Sequence, residues 1–80
     1  MNIQLIDGEF LPQEALEILT QMISIKIKFH EGKISKNEVE EDVKAREAKI
    51  KRLQKDLYEL RKAITSGENS VHISAQISIG

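Results

Sequence analysis

Eighty residues form at most one domain, and a chain this short buries a modest share of its surface, so domains of this size commonly depend on disulfides, metals or association. Cysteine is absent, which excludes disulfide staples, thiolate metal ligands and cysteine nucleophiles together. With 12 Lys plus Arg against 13 Asp plus Glu, the formal net charge of -1 excludes a strong overall field for nucleic acid, and 40% hydrophobic with only 4% aromatic residues favours a helical hairpin or coiled coil over a β-sandwich.

Met1, Ile3 and Leu5 alternate with Asn2 and Gln4, the period of a strand over residues 1–6, and Asp7-Gly8 supplies turn chemistry after it. The same stretch has no basic leader, and no apolar run in the chain reaches membrane-spanning length, so a cytoplasmic protein with no membrane contact is expected. Pro12 suits the first position of a helix, and Glu14 and Glu17 place negative charge near the positive end of its dipole. Leu11 stands where an N-cap oxygen would normally be, so Phe10 or Leu11 is expected to staple the helix start by packing on Ala15 or Leu16.

Between Pro12 and Glu31 two periods compete, because Ile23, Ile25, Ile27 and Phe29 alternate with Ser24, Lys26 and Lys28 as a strand would. A helical wheel decides in favour of a helix over 12–31: Leu16, Leu19, Met22, Ile23, Ile25, Ile27 and Phe29, with Ala15 and Ile18, gather in an arc of roughly 200°, wide enough for two neighbours. Glu31-Gly32-Lys33 reads as a short connection, and Ser35 with Glu38 as the capping box of a second helix over 36–65. Along that helix Val39, Val43, Arg46, Ile50, Leu53, Leu57, Leu60 and Ile64 recur at alternating spacings of four and three, a narrow heptad seam fit for one neighbour. Glu40 with Lys44, Asp42 with Arg46, and Glu47 with Lys51 add acid-before-base pairs four apart. Gly67 marks a stop. Val71, Ile73, Ala75, Ile77 and Ile79 then alternate with His72, Ser74, Gln76 and Ser78 as a strand over 71–79.

The expected fold is therefore mainly α within an α+β class: a single domain, 1–80, in which an antiparallel two-helix hairpin carries short N- and C-terminal strands in the order β-α-α-β. A turn near Lys33 sets residues whose numbers sum to about 67 opposite each other, so that Ile50 meets Leu16 while Leu60 and Ile64 overhang the start of the first helix. The apolar groups without an obvious partner are Leu19, Met22, Ile25 and Phe29 on the first helix, the overhanging Leu60 and Ile64, and Val71, Ile73 and Ile77 on the last strand. They predict a homo-oligomer, a dimer first and a tetramer next, and a non-enzymatic role in self-association or as an adaptor for another protein.

The chemistry-bearing residues point the same way. No Gly-rich phosphate loop, nucleophile elbow or HExxH occurs, so no catalytic residue, cofactor or metal is expected. His30 falls near the expected end of the first helix, where a proton is welcome, and His72 lies on a polar strand face. Arg46 either reaches Gln21 or a carboxylate as a register device, or packs its stem and sends its head to water; Lys26 is expected to pair with Glu40, Glu41 or Asp42. Lys44, Lys51, Lys55 and Lys62 share one outer stripe that would suit phosphate contacts, the basis of an alternative reading as a small nucleic-acid-binding accessory protein. Glu40, Glu47 and Glu59 flank that stripe, and no aromatic platform accompanies it.

An N-terminal strand before two helices resembles, at the level of fold, the ribbon-helix-helix DNA binders, which would imply base reading by Asn2 and Gln4; these helices are longer, and no basic residue precedes Pro12. Asp7-Gly8-Glu9-Phe10 together with Arg46-Glu47-Ala48-Lys49-Ile50-Lys51-Arg52-Leu53-Gln54-Lys55 resembles small uncharacterised bacterial proteins, and that resemblance implies no activity.

Overall fold

The computed structural model describes residues 1–36, 39–65 and 69–80. Strand β1 (Asn2–Phe10) leads into helix α1 (Pro12–Lys36), helix α2 (Glu40–Thr65) returns, and strand β2 (Val71–Ser78) pairs antiparallel with β1 in a two-stranded sheet. The expected order and hairpin are present. The element ends are not all where the local signals put them.

Helix α1 begins with half a capping box. The Leu11 N–H donates to Glu14 Oε1 at 3.0 Å, and the Ala15 N–H donates to the Leu11 carbonyl at 2.9 Å. Leu11 is thus the N-cap and Glu14 the residue that reaches back, but a leucine has no oxygen to return the bond.

The helix then runs through Gly32 to Lys36, beyond the expected stop at 31. A glycine inside a helix costs about 1 kcal/mol relative to alanine. Continuing offsets that cost by half-burying Ile34 in line with Leu16, Leu19, Ile23, Ile27 and His30, and by bringing Lys33 and Lys36 to the negative end of the dipole. Gly32 has no positive φ, so it is a helical residue and not the left-handed closure its type predicted. Ser35 belongs to α1 as well, its Oγ donating to the Gly32 carbonyl at 2.9 Å; Glu38, its expected partner in a capping box, lies outside the described residues, as does Gly67. Helix α2 instead starts at Glu40, with the Val39 carbonyl accepting the Val43 N–H at 3.1 Å.

These shifts make the helices nearly equal, 25 and 26 residues, each about 38 Å long at 1.5 Å per residue. They also move the register. Arg46 Nη1 lies 3.0 Å from His30 Nδ1, so opposed residue numbers sum to about 76, not 67. Leu60 and Ile64 therefore do not overhang. They lie against α1 near Ala15, Leu16 and Leu19. The seam keeps its expected face: Val43, Arg46, Ile50, Leu53, Leu57 and Leu60 are half-buried and Ile64 is buried, whereas Val39, at the N-cap, is exposed.

Strand β1 is longer than expected because Asp7 and Gly8 stay in the ladder, opposite Ser74 and Ile73. Between Gln4 (opposite Gln76) and Ile6 (opposite Ala75), Leu5 has no partner, which is a β-bulge. The extra residue changes the parity of the strand. Ile3 shares a sheet face with Ile6, Gly8 and Phe10, across from Ile77, Ala75, Ile73 and Val71. Gln4 closes the irregularity with its side chain, Nε2 donating to the Ile6 carbonyl at 2.8 Å, with the Ala75 carbonyl and Ser74 Oγ each at 3.3 Å. At the other end the strand stops at Ser78, although Met1 N and O still meet Ile79 O and N at 2.6 and 2.7 Å.

The core sits where the root of the ribbon meets the base of the hairpin. Ala15, Ile64 and Ile73 are the buried residues among those described, with Ile6, Phe10, Leu16, Leu19, Leu60 and Val71 packed around them. Three buried residues are few. The radius of gyration is 15.2 Å, where a compact chain of this length would have about 12 Å. The molecule measures 46 × 33 × 13 Å, so no part of it is far from a surface. Its accessible surface is 6414 Å², against about 4,900 Å² for a compact monomer of 9.1 kDa, an excess of about 1,500 Å².

Candidate functional site

Part of the exposed apolar surface lies on α1. One stripe of the helix faces α2. A second stripe, Ile18, Met22, Ile25 and Phe29, recurs at spacings of four, three and four on the flank of the first. Ile18 and Met22 are half-buried, but Ile25 is 68% and Phe29 58% exposed. The bulge adds to this face: Leu5, unpaired in the ladder and half-exposed, lines a shallow depression of about 440 Å³ with Leu19, Met22, Ile23, Ile25 and Leu53. A second depression of about 390 Å³ continues it past Ile25 to Phe29 and His30.

Cations frame the stripe. Lys33 Nζ lies 5.6 Å and Arg46 Cζ 5.9 Å from the Phe29 ring centroid, so an exposed aromatic face is held between two positive groups. Lys26, expected beside the acidic start of α2, is displaced by the register change to the rim of the apolar depression near Asp56; Glu41 is about nine residues, or 13 Å, further along the helix axis.

The larger depression, about 550 Å³, is ringed by Gln13, Glu17, Thr20, Gln21 and Arg61 around Leu16. Among the described residues no group of three His, Cys, Asp or Glu side chains is placed to hold a metal ion, and no helix is long and apolar enough to cross a membrane.

The expected interface residues divide in two. Ile64 and Ile73 are buried in the chain's own core, and Leu60 and Val71 pack against it. Leu19 and Met22 are half-buried, while Ile25, Phe29 and Ile77 are open. The lysine stripe is exposed along α2, but its ends are engaged: Lys44 pairs with Glu40 at 3.4 Å, and Lys62 Nζ lies 5.5 Å from the Tyr58 ring centroid.

Two polar clusters were not evident from spacing alone. On the outer face of the ribbon His72 Nδ1 lies 3.0 Å from Glu9 Oε1 and His72 Nε2 3.4 Å from Asp7 Oδ1, while Ser70 Oγ donates to Glu9 Oε2 at 3.1 Å. Only the bulged register brings Asp7 and Glu9 to His72. The other cluster is His30 with Arg46. Partial burial first, then the positive charges of Arg46, Lys49 and Lys26, hold the His30 ring below its ordinary pKa. This reverses the expectation of a helix end that welcomes a proton, because α1 continues for six residues past His30. Arginine carries only donors, so His30 Nδ1 is the acceptor and the neutral ring keeps its hydrogen on Nε2. Among the described residues Arg46 thus reaches a histidine across the hairpin, neither Gln21 nor a carboxylate.

Comparison of the chain with protein-family models, curated proteins and solved structures returns no match.

Proposed function

We propose that this protein works by association: a helical-hairpin scaffold, acting in the cytoplasm, that self-associates and presents its remaining surface to a larger protein partner. One observation carries this reading. The outer stripe of α1 leaves Ile25 and Phe29 open in a chain that already exposes about 1,500 Å² more than a compact monomer of its mass, and a standard interface takes about 800 Å² from each partner. The acidic neighbours of the lysine stripe, the Glu40–Lys44 pair included, weigh against nucleic acid as the partner.

Sedimentation velocity across about 50 to 200 mM salt separates the two readings, because phosphate contacts weaken steeply over that range and apolar contacts do not. The proposed function predicts self-association that holds or tightens as salt rises, with no shift when duplex DNA or single-stranded RNA is added. Tight nucleic-acid binding at low salt with a steep salt dependence would overturn it.

A further inference from the structure

The geometry points to the occupant of the outer α1 stripe: the same stripe of a second copy, packed antiparallel about a twofold axis between Met22 and Ile25. The inference rests on the self-association proposed above and adds its surface, partner and orientation.

The spacing of the stripe comes first. Ile18, Met22, Ile25 and Phe29 form a heptad seam, the pattern that inserts side chains between those of a facing helix. Antiparallel pairing with residue numbers summing to 47 puts Ile18 of one copy against Phe29 of the other and Met22 against Ile25, so every large group meets another large group. Such a pairing is isologous, as a twofold requires. With α2 behind each α1, the assembly is a four-helix bundle, and Leu5 extends the apolar contact from the bulge of each ribbon.

Charge chooses the direction. The first half of α1 carries Glu14 and Glu17; the second carries Lys26, Lys28, Lys33 and Lys36 against Glu31 alone. Parallel packing would set these lysines beside their own copies. Antiparallel packing brings Glu17 of one copy beside Lys28 of the other and opposes the two helix dipoles.

The chain has no cysteine, so introduced thiols report the orientation directly. Ile18→Cys and Phe29→Cys are prepared separately, checked for helicity by circular dichroism and for mass by light scattering, then unfolded and refolded together before mild oxidation. Antiparallel packing predicts a covalent dimer in the mixture and none in either variant alone, because like positions then lie about 16 Å apart along the axis and a disulfide needs Cα atoms within about 7 Å. Gln21→Cys mixed with Lys28→Cys gives the same readout on the flank of the seam, with the four apolar residues intact. Cross-linking of each variant with itself means parallel packing and overturns the proposal. Dimers that cross-link in no combination place the interface elsewhere and overturn it too, while leaving self-association standing. A monomeric wild-type chain removes both.

Discussion

Arg46 on α2 reaches 16 residues back across the hairpin to His30, Nη1 to Nδ1 at 3.0 Å, and this contact joins the helix register to a titratable group. The guanidinium keeps its charge at every relevant pH, so a proton on His30 would remove the acceptor and place two cations side by side.

The pH dependence follows from that pairing. Above the ordinary histidine value of 6.5 both folded and unfolded chains hold the ring neutral. Below it the unfolded chain takes up a proton that the folded chain resists, so stability falls as pH drops from about 7.5 to 5.5. His30→Gln can keep an acceptor for Arg46 and does not titrate. Urea unfolding at the two pH values should show a loss in the wild type that is smaller in the variant. An equal loss in both would exclude His30 as the source.

Ile64 is one of three buried residues among those described, touching a core shared by both helices and the ribbon. Truncation to alanine removes packing that nothing nearby can refill, and Ile64→Ala is expected to cost about 2 to 4 kcal/mol. In a domain this small that is a large part of the total, and the urea midpoint should fall accordingly. A loss below about 1 kcal/mol would mean that this core is not what holds the ribbon to the hairpin.

The N-cap of α1 offers a gain. Leu11 is 65% exposed and already receives the Glu14 half of a capping box, so Leu11→Ser would complete it with little lost burial. The expected stabilisation is about 1 kcal/mol, a rise in Tm of about 4 to 8 °C for a domain of this size. An unchanged or lower Tm would assign Leu11 a packing role at the helix start greater than its missing hydrogen bond.

The seam from Val43 to Ile64 could be read directly because a heptad repeat is a property of one helix and survives whatever it packs against. The two-faced α1 was readable for the same reason. Register was not, since it depends on where the hairpin turns, and Gly32 with Ser35 carries signals of a helix end that the burial of Ile34 overrides. The bulge at Leu5 was hidden because one inserted residue shifts strand parity without leaving a local mark: Met1, Ile3 and Leu5 alternate, and so do Ile6, Gly8 and Phe10. With register and bulge unread, neither the His30–Arg46 contact nor the pairing of His72 with Glu9 could be found. Met22, Ile25 and Phe29 of the open stripe of α1 could be, but Leu19, which packs on the core, was grouped with them in place of Ile18.

The most direct test of association through α1 is light scattering coupled to size exclusion, comparing the wild type with Ile25→Glu and recording helicity for both. Ile25 is exposed, so the substitution leaves the core intact. The wild type should elute at about twice the 9.1 kDa chain mass and Ile25→Glu at the chain mass with its helicity unchanged. A wild-type chain that elutes at 9.1 kDa, or an Ile25→Glu dimer as stable as the wild type, would contradict the account.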